Sequence, residues 1–178
     1  DCHDTAGHKD HCVTGAIFNY TKQLFSAYQG YSPQLSYNLT EALMFLAHFI
    51  GDVHQVCALL LVWDTMIIDS AVKTLYGSDL ATMIQAIQRN ITDAWSNDVS
   101  SWKNCGHNQT VCPNVYASES VRMACKFAYR NATPGSTLED EYFLSRLPIV
   151  EKRLAQGGIR LAAVLNRLFN SEVKIAQA

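Results

Sequence analysis

Apolar positions recur along this chain at steps of three and four, and that period predicts helices almost throughout. Val13, Ile17, Tyr20 and Leu24, with Phe25 beside them, place a helix over Val13 to Tyr28, which Gly30-Tyr31-Ser32-Pro33 breaks. Leu39, Leu43, Leu46 and Ile50 give the next stripe, with Asn38 or Thr40 as its cap. Near Gln55 the pattern fails. Val56 to Val62 is apolar on every side, as expected of a buried segment or of a splice between two segments once apart. Trp63-Asp64 opens a run through Ile67, Ile68, Ala71, Val72 and Leu75 that Gly77 stops. Ser78-Asp79 predicts the cap of one helix from Leu80 to about Trp102, carried by Ile84, Ile87, Ile91 and Trp95. Pro113 suits a first turn, and a helix over Val115 to Tyr129 carries Val121, Cys125 and Tyr129 at steps of four. Thr137-x-x-Asp140 and Ser136-x-x-Glu139 resemble capping boxes for a last helix from Leu138 to about Phe169. Leu147, Val150, Leu154, Leu161, Leu165 and Leu168 give that helix a core face, and Pro148 and Gly157-Gly158 predict a kink or split. No strand-like alternation and no internal repeat occurs, so the expected class is all-α: one domain over 1–178, an irregular helix bundle.

Composition narrows the setting. With 178 residues, 48% of them apolar and 17% charged, the chain has material for a real core. The net charge is −2 and no Lys/Arg run stands out, which excludes nucleic-acid binding through a general basic surface. The longest apolar run, Val56 to Trp63, falls far short of the roughly 20 residues of a membrane span. A chain that begins Asp1-Cys2-His3-Asp4, with no initiator Met, is expected to be processed or a fragment. Cys2/Cys12 and Cys105/Cys112 each bracket a short polar loop, as small disulfides do. Five Asn-x-Ser/Thr triplets occur, at Asn19, Asn38, Asn90, Asn108 and Asn131, where chance would give about one. Glycosylation and paired cysteines both point to a secretory route. Asn131 is the weakest acceptor, because Pro134 follows its Thr.

The chemistry concentrates in Ala47-His48-Phe49-Ile50-Gly51-Asp52-Val53-His54-Gln55. His48 and Asp52 are four apart and share a helix face with Cβ atoms about 6 Å apart. Such a pair holds one divalent metal or simply hydrogen-bonds. His54 is turned off that face. The loop Asp1 to Cys12 holds three His and three Asp; without a regular element to fix ligands, a solvated loop closed by a disulfide is expected there rather than a metal site. Trp63, Trp95 and Trp102 sit on helical apolar spacings and are expected in the core or at its rim rather than as base-stacking platforms. Arg146, Arg153, Arg160 and Arg167 recur every seven residues, which predicts a solvated or domain-facing stripe.

Several stretches in order carry a resemblance to a known family. Tyr37-Asn38-Leu39-Thr40-Glu41-Ala42-Leu43 running into the His48 segment, Val62-Trp63-Asp64, Tyr116-Ala117-Ser118-Glu119-Ser120, Arg146-Leu147-Pro148-Ile149-Val150 and Arg153 through Ala162 all resemble the plant and fungal type I nucleases. The resemblance spans nearly the whole chain and favours the plant branch. It implies a mostly helical, secreted or vacuolar, glycosylated endonuclease that cuts single-stranded DNA and RNA with three zinc ions, through a zinc-activated water. By that resemblance His48 is a ligand of one zinc, Asp52 the catalytic carboxylate bridging two ions, and Asp64 a ligand of the remaining one. Cys2–Cys12 and Cys105–Cys112 match two of the family's disulfides.

The departures lower the expected activity. The family's N-terminal Trp, His and Asp ligands lie upstream of Asp1, Ala58 and Leu60 stand where two His ligands belong, and the substrate loop after Gln55 is missing. At most one weak zinc site is expected of His48, Asp52 and Asp64, because a zinc site wants three or four protein ligands. Cys125 matches a cysteine whose partner lies upstream, and Cys57 fits no pattern. The expectation is a zinc-dependent endonuclease, incomplete and weak or inactive as written. The alternatives are an inactive secreted helical binding protein and a phospholipase C-like phosphohydrolase on the same fold.

Overall fold

The computed structural model describes residues 2–28, 37–56, 61–106, 109–132, 135 and 137–170. Their regular structure is helical, apart from one isolated antiparallel bridge between His3 and Lys9. The chain forms α1 (Val13–Tyr28), α2 (Leu39–His54), α3 (Ile67–Leu75), α4 (Leu80–Thr92), α5 (Ser96–Lys103), α6 (Pro113–Met123) and α7 (Asp140–Phe169). Wider π-helical turns lead into α3 at Val62–Met66 and continue α6 at Ala124–Ala128. The all-α expectation holds, and both short disulfides form: Cys2–Cys12 with Cα atoms 5.5 Å apart and Cys105–Cys112 with 5.4 Å.

Local chemistry explains most boundaries. Of the two cap candidates Asn38 and Thr40, Asn38 caps α2 by accepting from Glu41 N at 3.2 Å. Asp79 caps α4 with bonds from Ala81 N and Thr82 N, and Gly77 ends the preceding run at φ 61°. At Gly15 a Cβ would fall 2.0 Å from Asp10 O, so only glycine lets the N-terminal loop lie on α1.

Several expectations need correction. The run from Leu80 is two helices, because the chain turns between Thr92 and Ser96. The last helix begins at Asp140 with Glu139 as its cap residue and no side-chain cap bond, so Thr137 does not cap it, and Ser136 of the other proposed box lies outside the described residues. It then runs 30 residues without a break through Pro148 and Gly157-Gly158, held by packing along its length. Along α6 and its π-helical turn, Val121, Cys125 and Tyr129 are exposed; Tyr116, Ser120, Ala124 and Ala128, one step earlier, are the buried face. Leu154 is likewise exposed on α7, while Leu147, Val150 and Leu168 are buried as expected.

Three apolar clusters make the core, and α7 contributes to each. Ile17, Leu46, Ile50, Tyr116, Val164 and Leu168 join α1, α2, α6 and α7. Trp63, Ile67, Ala128, Tyr142, Leu147 and Val150 join the first half of α7 to α3 and both π-helical turns. Met83, Ile87, Trp102 and Ala155 seat α4 and α5 on its middle. Trp63 and Trp102 are buried and Trp95 half-buried, as expected; Trp63 Nε1 donates to Tyr142 Oη at 2.9 Å.

The arginine stripe is the largest correction. Arg146, Arg153 and Arg160 are buried, each at most 9% exposed. Seven residues are about two helical turns, so the four guanidinium groups share one face of α7. Each reaches carbonyls near the C-terminal end of another helical segment, where unpaired acceptors and the negative end of the dipole gather. Arg146 donates to Phe127 O and Arg130 O at 3.0 and 2.8 Å, and Arg153 to His54 O at 3.1 Å. Arg160 donates to Trp102 O at 3.3 Å, and Arg167 to Lys103 O and to Thr110 O.

Candidate metal edge and the groove beside it

Helix α2 delivers the expected pair. His48 Nε2 and Asp52 Oδ2 are 3.2 Å apart across one helical turn, with the imidazole exposed and the carboxylate partly so. Asp64, carried on the π-helical turn at Val62–Met66, is half-buried close by. Burial, and then the negative charge of Asp52, push the Asp64 carboxyl above its usual range. A half-buried carboxyl whose ionisation a neighbouring carboxylate opposes forms an edge that a cation would relieve.

The three do not converge on one ion. Among the described residues, only Asp4, His8 and His11 bring three such ligand atoms within 4.8 Å of one another. Ala58 and Leu60 lie outside the described residues, but neither side chain offers a ligand atom. His48 and Asp52 therefore fit one ion completed by water, and the described residues do not build a three-zinc cluster.

Two concavities flank this edge. A cavity of about 200 Å³ is lined by Gly51, His54, Trp63, Asp64 and Arg153. A wider groove of about 860 Å³ is bordered by Phe49, Asp52, Val121, Cys125 and Tyr129. Gln55 borders both, while Asp64 lines the smaller cavity and Asp52 the wider groove.

The support behind α2 is a buried polar network that the sequence reading missed. His54 Nδ1 donates to Ile50 O at 2.7 Å, and its Nε2 accepts from Arg160 Nη1 at 3.0 Å. Burial, and then the Arg153 charge, push the His54 pKa down to about 3, so its imidazole is neutral and structural. Glu119 accepts from both Arg160 nitrogens at 2.6 and 2.9 Å and from Arg153 at 3.3 Å. Burial raises the Glu119 carboxyl, but Arg160 and Arg153 outweigh it and hold it below its ordinary value. Gln156 Oε1 accepts from Arg153 at 2.5 Å, and Ser120 Oγ donates to Val53 O at 2.6 Å while accepting from Arg153. The carbonyls that end α2 are thus tied to α6 and α7, which fixes where Asp52 points. The signal in the sequence was the seven-residue arginine spacing together with Glu119.

The remaining candidates fall at the surface. Asn19, Asn38 and Asn131 are exposed, Asn90 is half-buried, and Asn108 lies outside the described residues. Cys125 is a free, exposed thiol, and Cys57 lies outside the described residues. No described helix is long and apolar enough to cross a membrane.

A disulfide-stapled helical domain with an imidazole–carboxylate edge over a groove fits a helical hydrolase. The family model described as S1/P1 Nuclease matches residues 1–56 and 58–170, and the chain belongs to that family. It is 59% identical to Endonuclease 5 and to Endonuclease 4 of Arabidopsis thaliana, over 99% of this chain and 67% and 66% of theirs. Endonuclease 1 of the same plant is 44% identical over 99% of this chain and 65% of its own length. The chain thus spans about two thirds of these relatives. The first alignment runs over 198 positions against 178 residues, so Endonuclease 5 carries at least 20 positions with no counterpart here. The family match divides at Cys57, where the missing substrate loop is expected.

Proposed function

We propose that this chain is a secreted or vacuolar, zinc-dependent endonuclease unit acting on phosphodiester bonds of single-stranded DNA and RNA, weak on its own. The observation that carries the reading is the placement of Asp52, 3.2 Å from His48 and close enough to Asp64 to raise that carboxyl. Bare carboxylates repel a phosphodiester, so the edge suits such a substrate only with a cation on it. Zinc, where bound, supplies positive charge and an activated water. His48 and Asp52 are the side chains that would hold it, and Arg153, Ser120 and Glu119 would keep α2 in register. The groove offers Phe49 and Tyr129 beside Asp52, and every base presents a face to aromatic rings. The relatives' endonuclease names, the two disulfides and the family match support the reading. The two ligands in hand support weak activity.

The test uses purified chain with single-stranded oligonucleotides and elemental analysis. Slow hydrolysis is expected, lost in Asp52→Asn together with the zinc that His48 and Asp52 hold. Hydrolysis unchanged by Asp52→Asn would overturn the assignment. A second reading, a non-catalytic binding protein, draws on Ala58 and Leu60 standing where the family pattern has His ligands. It predicts oligonucleotide binding with no cleavage.

A further inference from the structure

The N-terminal loop holds a trio that the nuclease reading leaves unused. Asp4 Oδ2 lies 2.7 Å from His8 Nδ1 and 2.9 Å from His11 Nδ1, and the two rings are tilted by 40° with centroids 5.1 Å apart. All three ligand atoms lie within 4.8 Å of one another. We propose that Asp4, His8 and His11 form a separate surface site for a divalent transition-metal ion such as zinc, distinct from the edge on α2.

The expectation of a merely solvated loop rested on the lack of anything to fix the ligands. The structure supplies that restraint. Cys2–Cys12 closes the loop, Asp10 N donates to Cys2 O at 2.8 Å, and His3 and Lys9 pair as a bridge. Asp4 Oδ1 accepts from Ala6 N and His8 N, both at 2.9 Å. That pins one carboxylate oxygen to backbone and turns the other toward both imidazoles. The base of the loop rests on α1 at Gly15, where no larger residue fits.

The donor set is chemically apt. Two imidazole nitrogens and one carboxylate oxygen are the ligands of an open zinc site, with a fourth position left to water or an incoming group. In a tetrahedral ion with bonds of about 2.0–2.1 Å, donors stand roughly 3.3 Å apart. Each imidazole nitrogen therefore draws back from Asp4 Oδ2 by only about half an ångström to admit the ion, replacing hydrogen bonds that share one oxygen. Both histidines are exposed, 64% and 63% at the side chain, so they are free to make that shift and the ion exchanges readily.

The test is titration of the full chain with zinc chloride alone by calorimetry, and with cobalt(II) followed by its visible absorption. The wild type is expected to bind one ion in the micromolar range that His8→Gln/His11→Gln binds at least 100-fold more weakly. His48→Ala is expected to keep that ion, and the tetrahedral cobalt bands should vanish only in the loop variant. Unchanged affinity and stoichiometry in His8→Gln/His11→Gln would sink the site, as would no binding to the wild type at millimolar zinc. Asp4 also organises the loop, so Asp4→Asn is read only with the disulfide confirmed intact; a smaller loss than in the histidine variant is then expected. Zinc binding that the His8→Gln/His11→Gln change leaves untouched sinks this site alone and leaves the reading of Asp52 standing, whereas a wild type that binds no zinc sinks both; hydrolysis unaffected by Asp52→Asn sinks only the latter.

Discussion

Arg160 donates to His54 Nε2 at 3.0 Å across 106 residues of sequence. That bond requires the imidazole proton on Nδ1, where it is given to Ile50 O at 2.7 Å. One arginine of α7 thereby selects the tautomer of a histidine on the last turn of α2, and a cationic imidazole has no place there.

Stability should therefore fall in acid. The His54 pKa in the folded state is about 3 against an ordinary 6.5, with Arg153, Arg160 and Glu119 as its charged neighbours. Between those values the unfolded chain binds the extra proton, so this contribution is complete above 6.5 and erodes as pH falls toward 3, by about 1.4 kcal/mol per pH unit at its steepest. Glu119, whose carboxyl is depressed, loses stability in the same direction. Thermal melts from pH 7 to pH 4 should show a steady decline that is shallower in His54→Gln. Parallel declines in the two proteins would remove His54 from this role.

Glu119→Gln should be among the costliest single changes. It leaves Arg153 and Arg160, both 4% exposed at the side chain, without their anion. Breaking a buried pair by removing one partner costs about 3–5 kcal/mol, seen as a lower urea midpoint. Asp98→Asn is the contrast: its pair with Lys152 is 2.7 Å long but about two-fifths exposed on both sides. Such surface pairs are worth about 0–1 kcal/mol. Equal losses from the two substitutions would contradict the account.

These residues also show what was legible in the sequence. Helix α1, the Asn38 cap, the His48–Asp52 pairing and both short disulfides follow from local spacing, and the structure has each of them. The arginines were visible only as a period. Charge at every seventh residue ordinarily marks a wet face, and nothing local says that helix ends wait beneath it. The capping of α2 by Arg153 spans 99 residues, and such a contact exists only once the helices are assembled. Which face of α6 is buried was not legible for the same reason: the stripe of Val121, Cys125 and Tyr129 is exposed, and two faces one step apart are distinguished only by their neighbours.

Both adjacent glycines of α7 should accept alanine, one against open space and one against a buried ring. A Cβ on Gly158 meets nothing within 4 Å, whereas one on Gly157 comes 3.4 Å from His54 Cγ. Gly158→Ala should stabilise the chain by about 0.5–1 kcal/mol, the ordinary helix preference for alanine. A Cβ on Gly157 would rest at ordinary van der Waals distance on the buried His54 ring, which Ile50 and Arg160 hold in place, so Gly157→Ala should gain at least as much. Chemical denaturation of the two variants side by side decides it; a net loss in Gly157→Ala would mean that the His54 ring does not accept the contact.

The last prediction joins the buried network to the metal edge. Arg153 donates to His54 O and to Ser120, and Ser120 in turn donates to Val53 O, so the final turn of α2 hangs from these groups two residues beyond Asp52. Arg153→Lys keeps the charge but gives up the planar fork that serves several acceptors at once. Groups that orient ligands typically carry tenfold to hundredfold effects on metal affinity. Zinc affinity at His48 and Asp52, measured with His8 and His11 replaced so that only this edge reports, should weaken about tenfold in Arg153→Lys. A purely global destabilisation would instead lower the melting temperature and leave the affinity of the folded fraction unchanged. A tenfold loss in protein that is fully folded by circular dichroism separates the two.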